Sequence, residues 1–332
     1  MDVVAGAYAM GMAHLRFPDI PGQRGLATAA QLRAHGWTYS ALSHLVATSG
    51  QRILPRVYLP HRGRIPDDDL IVAGWLWAGT DTLLTGAAAL VRHGVKIPRP
   101  GPITRFLTRR DGRNREGNLG MELRRTRRLP TGPIRNDVRV VSVERALVDA
   151  GRYKEASARD LKGWAMAALQ NNLTTPDRLD AEITASGWQG LAALSAGCKA
   201  FRRGSWSPPE ATLFDLIEAD ERFPQMLANP RLVDDDDNLI GCPDGYFPDE
   251  GVVLQVHSKQ FHRDPDHDGK DPWPETVEAD NDYQRYGLVV VGVTPTSIDF
   301  RPVTVLDTLY DTLLANRGRA ITGVHVQVRD PE

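Results

Sequence analysis

Cysteine is nearly absent from this chain of 332 residues, with Cys198 and Cys242 the whole supply. Two thiols so far apart build no disulfide framework and read as reduced cytosolic cysteines. Long apolar runs are missing as well: the most apolar stretch, Leu70 to Gly79, is far too short to cross a bilayer. Met1 to His14 has no basic leader ahead of its apolar residues, so no secretory signal is expected. These absences predict a cytoplasmic protein without a membrane partner. No segment is low in complexity, and the length suffices for two or three domains with their own cores.

Net charge is also small, at −2, but the sum conceals a division. Residues 1–200 hold 28 Lys and Arg against 17 Asp and Glu, whereas residues 201–332 hold 12 against 25. A basic front suits contact with a polyanion. An acidic back disfavours tight DNA contact, because neutralising phosphates dominates such affinity.

Residues 1–20 read as a leader or loosely packed first helix. Over 21–64 the pattern is that of a winged helix-turn-helix. A short Ala/Leu helix entered at Thr28 and stopped at Gly36 comes first. A second helix from Thr38 to Gly50 follows, with Leu42, Leu45 and Val46 on one face, and then a basic strand pair over Arg52 to Pro60. Such a second helix can enter a major groove while the wing holds phosphates. It offers Thr38, Tyr39, Ser40, Ser43 and His44 but no Lys or Arg, so affinity for double-stranded DNA would rest on Arg52, Arg56, Arg62 and Arg64. The competing reading is a packing module with a solvated arginine face.

Residues 65–204 form a middle region of helices and a basic hairpin. Apolar helices are predicted over Asp67–Gly79 and Asp81–Gly94, with Trp75 and Trp77 in the core. Strands over Ile103–Arg109 and Met121–Arg128 flank a polar turn. Residues 101–150 carry 12 Lys and Arg. Among them Arg105, Arg109, Arg110, Arg113, Arg115, Arg124, Arg125, Arg127 and Arg128 suit either a phosphate-contacting surface or a solvated, charge-protected hairpin. Helices follow over 155–171, 175–185 and 187–201.

The Gly/Ser/Pro cluster Arg202–Pro209 opens a last domain, 205–332. Its order of strands, helix and apolar strand suits an α/β/α sandwich around a mixed sheet. Leu239–Phe247 and Val252–Val256 read as two strands across a breaker turn. Alternation puts Gln255 and His257 on one face, with Asp244 brought alongside.

Several stretches carry a resemblance: Gly25-Leu-Ala-Thr-Ala-Ala-Gln-Leu32, His35-Gly-Trp37, Arg56-Val-Tyr-Leu-Pro60, Ser207-Pro-Pro-Glu210, and Gln255-Val-His-Ser-Lys-Gln-Phe-His262. The chain resembles, over nearly its whole length, an actinobacterial group in which an AbiEi-type antitoxin winged helix precedes a restriction-endonuclease-like, PD-(D/E)xK domain. The resemblance implies an α+β multidomain fold and a vestigial nuclease site at Glu210, Asp244, Gln255, His257 and Lys259. In that group the second strand typically ends Glu-Val-Asp-Ser. Here the acids at 255 and 257 are Gln and His, which suit Mg²⁺ poorly.

The expected function is therefore a DNA-binding antitoxin-like or transcriptional regulatory protein with a degenerate nuclease domain, with a cognate toxin as a further partner. The alternative is a divergent, Mg²⁺-dependent DNA endonuclease. No cofactor is expected under the first reading. Asp244, His257 and His262 also suggest a Zn²⁺ site, against the simpler reading of His257 as a hydrogen-bonded strand residue. Residues 264–275 match a calcium-loop expression without its flanking helices, so a solvated acidic loop is the default.

Overall fold

Hydroxyl side chains start the first helices. Strand β1 (Ala27–Thr28) runs into helix α1 (Ala29–Ala34) because Thr28 stays extended while its hydroxyl accepts the Gln31 amide at 3.2 Å. Gln31 Oε1 accepts the Thr28 amide in return at 2.8 Å, which satisfies two donors that a helix start leaves unpaired. Gly36, at φ +86°, turns the chain. Thr38 then caps helix α2 (Tyr39–Thr48) through the Ala41 amide. Strands β2 (Gln51–Leu54) and β3 (Val57–Leu59) close a hairpin over Pro55 and Arg56, and the sheet order is β1-β3-β2. Ala27, Leu32, Trp37, Ala41, Leu42 and Leu45 form the core beneath.

The computed structural model describes residues 15–97, 100–109, 113–257, 273–319 and 321–327. Among them are twelve helices and sixteen strands, a mixed α+β chain. It divides into two units, residues 1–194 and 195–332. No helix among the described residues is long and apolar enough to cross a membrane.

The first unit continues with helix α3 (Asp67–Ala78), strand β4 (Leu83–Thr85), helix α4 (Gly86–Arg92), and strands β5 (Thr104–Thr108), β6 (Arg115–Glu116) and β7 (Met121–Arg125). Two expectations are corrected here. The apolar segment after Asp81 is not helical throughout, because Leu83–Thr85 pairs antiparallel with β5. Nor do the strands at 104–108 and 121–125 form a hairpin: they pair in parallel. The antiparallel partner of β7 is the short β6, drawn from the segment expected to be only a polar turn. The sheet order is β4-β5-β7-β6. A small hairpin of β8 (Ile134–Arg135) and β9 (Val138–Arg139) turns over Asn136 and Asp137, both at positive φ. Helices α5 (Val143–Arg152), α6 (Ala158–Gln170) and α7 (Pro176–Ser186) follow, capped by Ser142, Ser157 and Thr175. The division between units falls within helix α8 (Ala192–Arg202).

Buried charge ties this unit together. Arg105, expected either on a phosphate-contacting surface or on a solvated hairpin, is buried instead and donates to Glu122 at 2.8 Å and Glu155 at 2.6 Å. Glu155 also accepts the Ala87 amide at 2.6 Å, at the start of α4. Gly86 at φ +68° permits this approach, since a Cβ there would collide with the Glu155 carboxylate. Asp149 accepts from Thr85 at 2.7 Å and from Arg145 at 2.8 Å. Arg115 and Arg124 are likewise engaged, the first by carbonyls ending α3 and the second by Glu116 and Glu122.

In the second unit, helix α9 (Pro208–Glu218) precedes strands β10 (Leu227–Ala228), β11 (Arg231–Val233), β12 (Leu239–Gly241), β13 (Gly245–Phe247) and β14 (Val252–Val256). Helix α10 (Trp273–Arg285), strand β15 (Val289–Val293), helices α11 (Pro295–Phe300) and α12 (Pro302–Asn316), and strand β16 (His325–Gln327) complete it. The single strand expected over Leu239–Phe247 is broken. Pro243 lacks an amide to donate to a ladder, and the two pieces join different sheets, β12-β11-β16 and β10-β13-β14-β15. The latter is mixed, with β14 and β15 parallel.

Residues of β14 alternate between two cores. Val252 and Leu254 pack with α9, α11 and α12, while Val253 packs with Tyr283 of α10. Helices therefore cover both faces of this sheet.

Replacing Glu155 by Ala strips Arg105 of one carboxylate and leaves the Ala87 amide bare. We expect a loss of about 3 kcal/mol, since breaking a buried ion pair exposes the charge that remains. Urea unfolding of the variant, followed by circular dichroism, measures it.

Candidate functional site

Two groups of side chains stand out, one in each unit. In the first, α2 buries Ala41, Leu42 and Leu45 and turns Thr38, Tyr39, Ser40, Ser43 and His44 outward. Tyr39 is 69% exposed. Arg33 of α1 lies over its ring at 4.9 Å and donates to its hydroxyl at 3.2 Å. A guanidinium thus stands beside a helix that has no Lys or Arg of its own. Sequence reading missed it because the contact spans the His35-Gly36 turn; the six-residue offset across a short turn was the available signal.

Arg52, Arg56 and Arg64 are exposed and make no ion pair among the described residues. Arg56 sits at the hairpin tip with φ 67°. Arg62 differs: it donates to the Val46 carbonyl at 2.5 Å and the Gly50 carbonyl at 3.3 Å, so it caps the end of α2. From Ile20 to Pro66 the chain has six arginines and no Asp or Glu. Arg24 is the member of this set spent on carboxylates, pairing with Asp137 at 2.7 Å and Asp69 at 3.4 Å.

In the second unit, the break at Cys242–Asp244 turns Asp244 toward the end of β14, where its Oδ2 accepts the Val256 amide at 2.5 Å. Glu210 lies in the first turn of α9, capped by Ser207. It is buried and accepts from the Trp206 amide at 2.7 Å and from Asn229 at 3.3 Å. Burial pushes the Asp244 carboxyl up to about 7, the negative charge of Glu210 adds to the rise, and the Val256 amide opposes it.

Gln255 hydrogen-bonds the Tyr283 hydroxyl, whose pKa burial raises. His257 Nε2 lies 3.2 Å from Asp280 Oδ2. Asp280 is also held above the usual carboxylate range by burial, against the pull of His257. Its other oxygen is buried without a partner. Asp280 and Tyr283, one turn apart on α10, were not singled out from sequence; their i, i+3 spacing within a predicted helix was the signal. Gly292 allows the arrangement, since a Cβ there would lie 2.7 Å from His257 Nε2.

The structure thus gathers Glu210, Asp244, Gln255, His257 and Asp280 around one end of β14. Lys259, His262 and residues 264–272 of the acidic loop lie outside the described residues. Among the described residues no three His, Cys, Asp or Glu side chains stand close enough to hold a metal ion. The donors also fit Mg²⁺ poorly, because Gln255 and His257 are engaged by Tyr283 and Asp280 and bring no carboxylate of their own. The arrangement suits proton sharing among crowded acids better than cation binding.

Compared with known proteins, the chain matches no family model and no curated protein.

The raised Asp244 pKa has a definite sign for stability. The unfolded chain releases this proton near the ordinary carboxylate value of about 4, the folded chain only near 7. The contribution is thus full below pH about 4 and is lost as pH rises through about 7. Asp244→Asn keeps an oxygen for the Val256 amide, so we expect its melting temperature to fall less than that of the wild type between pH 5 and pH 8. Thermal melts at both values test this.

Proposed function

We propose that this chain is a double-stranded-DNA-binding regulator of antitoxin type. In this reading residues 21–64 form a winged helix-turn-helix that meets the duplex. The second unit is then a restriction-endonuclease-like domain whose site has lost its catalysis and serves protein contacts, including those with a cognate toxin.

The observation that carries the reading is the carboxylate-free span from Ile20 to Pro66. There an outward helix face of Tyr39, Ser40, Ser43 and His44 adjoins a ribbon bearing Arg52, Arg56 and Arg64. A duplex concentrates phosphate charge, and a surface of cations without acids releases its counterions at no repulsive cost. Hydroxyl and imidazole groups on the helix offer hydrogen bonds to base edges. Arg33, stacked on Tyr39, adds a guanidinium beside them.

The endonuclease reading draws on one observation, the electrostatic coupling of Glu210 to Asp244. Against it stand Gln255 and His257, which bring no carboxylate where the resembled group carries its acids.

Fluorescence anisotropy on labelled duplex from upstream of the protein's own gene, with a scrambled control, separates these readings. We expect salt-sensitive binding that prefers the upstream sequence, and a salt slope that falls by about 0.9 for each of Arg52→Ala, Arg56→Ala and Arg64→Ala. Tyr39→Ala narrows the preference over the scrambled duplex. The DNA stays intact in Mg²⁺ and in Mn²⁺. Unchanged slopes in all three arginine variants count against the interface, and cleavage abolished by Asp244→Ala establishes the nuclease instead.

A further inference from the structure

Arg125, Arg127, Arg128 and Arg152, whose side chains the buried network does not use, converge on a cavity. We propose that this cavity is a nucleotide site, in which arginines hold the phosphates and Trp188 stacks on the base. Its volume is about 690 Å³, within the range of small-molecule and cofactor sites. Arg125, Arg127, Arg128, Arg145, Arg152 and Trp188 line it. They come from three separate places: the end of β7 and the segment after it, helix α5, and the turn that follows α7. A solvated hairpin would not bring these together.

The charges do not cancel. Asp149 is the one carboxylate in the lining among the described residues. It is 1% exposed, and its Oδ2 is occupied by Thr85 and Arg145. Arg128 pairs with Glu182. Arg125, Arg127 and Arg152 remain exposed without an ion pair among the described residues. Guanidinium groups present paired donors that match the oxygens of a phosphate.

The wall is also fixed in place. Arg145, buried on α5, donates to Asp149 at 2.8 Å, to the Arg128 carbonyl at 3.2 Å and to the Thr126 hydroxyl at 3.2 Å. The same hydroxyl accepts the Arg128 amide at 3.2 Å. One guanidinium therefore clamps the segment that presents Arg127 and Arg128, so a ligand meets cations already held in position.

Trp188 distinguishes a nucleotide from a bare anion. It is 46% exposed, its backbone amide is held by the Ser186 hydroxyl at 3.1 Å, and Arg152 lies over its ring at 5.4 Å. An indole kept in solvent beside three open cations offers a face on which a base can stack. None of these residues belongs to the duplex interface of the α2 helix and its ribbon, so the proposal does not depend on that reading.

Isothermal titration of the full-length protein at low salt, with ATP, AMP, adenosine, pyrophosphate and a short oligothymidylate, tests it. We expect ATP to bind more tightly than AMP, and adenosine to give no measurable heat. Trp188→Ala weakens ATP about tenfold while changing pyrophosphate by less than about twofold, and Trp188→Phe restores most of the loss. Arg127→Glu weakens ATP and pyrophosphate together. Both sites are exposed, and unchanged thermal melts confirm that the variants fold. Binding of the oligothymidylate with the free nucleotides silent assigns the same chemistry to a nucleotide within a strand. Silence from every phosphate-bearing probe overturns the proposal. So does ATP binding that Arg127→Glu leaves intact, or binding of ATP and pyrophosphate that Trp188→Ala leaves equally unaffected.

Discussion

A guanidinium taken out of water must find an acceptor, and that requirement sorts the arginines of the first unit. Arg92, Arg105 and Arg145 are buried and held by carboxylates or carbonyls. They fasten sheet to helix: Arg105 joins β5 to Glu155 beyond α5, and Arg145 joins α5 to the Arg128 segment. Removing one partner of such a pair costs far more than an exposed pair contributes. Once these positions are fixed, the remaining arginines are left on the surface. Two sets stand out among them, Arg52, Arg56 and Arg64 on the ribbon after α2 and Arg125, Arg127 and Arg152 around the Trp188 cavity. The charge excess of the front half is therefore divided between arginines that hold the fold and arginines left exposed on the surface.

In the second unit the same requirement acts on acids. Glu210 and Asp244 are close enough to raise the proton affinity of Asp244, and no cation among the described residues relieves them. The structure answers with hydrogen bonds from the Val256, Trp206 and Asn229 nitrogens. Gln255 and His257 enter this neighbourhood without adding charge of the wrong sign. Gln255 settles on Tyr283, and His257 finds Asp280. Had either position carried a carboxylate, the crowding would have called for a metal ion. Hydrogen bonds hold the polar groups of this site in place.

Much of this was legible in the sequence where the signal is local. The Thr28 helix entry, the two short helices before the ribbon and an apolar strand in the last domain follow from residue type and spacing. Alternation along β14 placed Gln255 and His257 on one face, and they meet α10 there. What failed was long-range pairing. Nothing within residues 103–128 tells that β6 would intervene and make β5 and β7 parallel, and Leu83–Thr85 reads as helix until β5 supplies its ladder. Pro243 lies inside the stretch read as one strand, and nothing local tells that its two halves join different sheets. Side-chain partnerships across the fold were equally hidden. Arg105 looks the same as Arg127 in sequence, and only the presence of Glu122 and Glu155 separates a structural cation from a free one.

The central claim, that DNA meets α2 and its ribbon and not the site around Asp244, is tested most directly by hydrogen exchange with and without the upstream duplex. The account predicts slowed amide exchange over residues 38–64, with residues 205–257 unchanged. Protection centred on residues 205–257, with 38–64 exchanging as before, would contradict it.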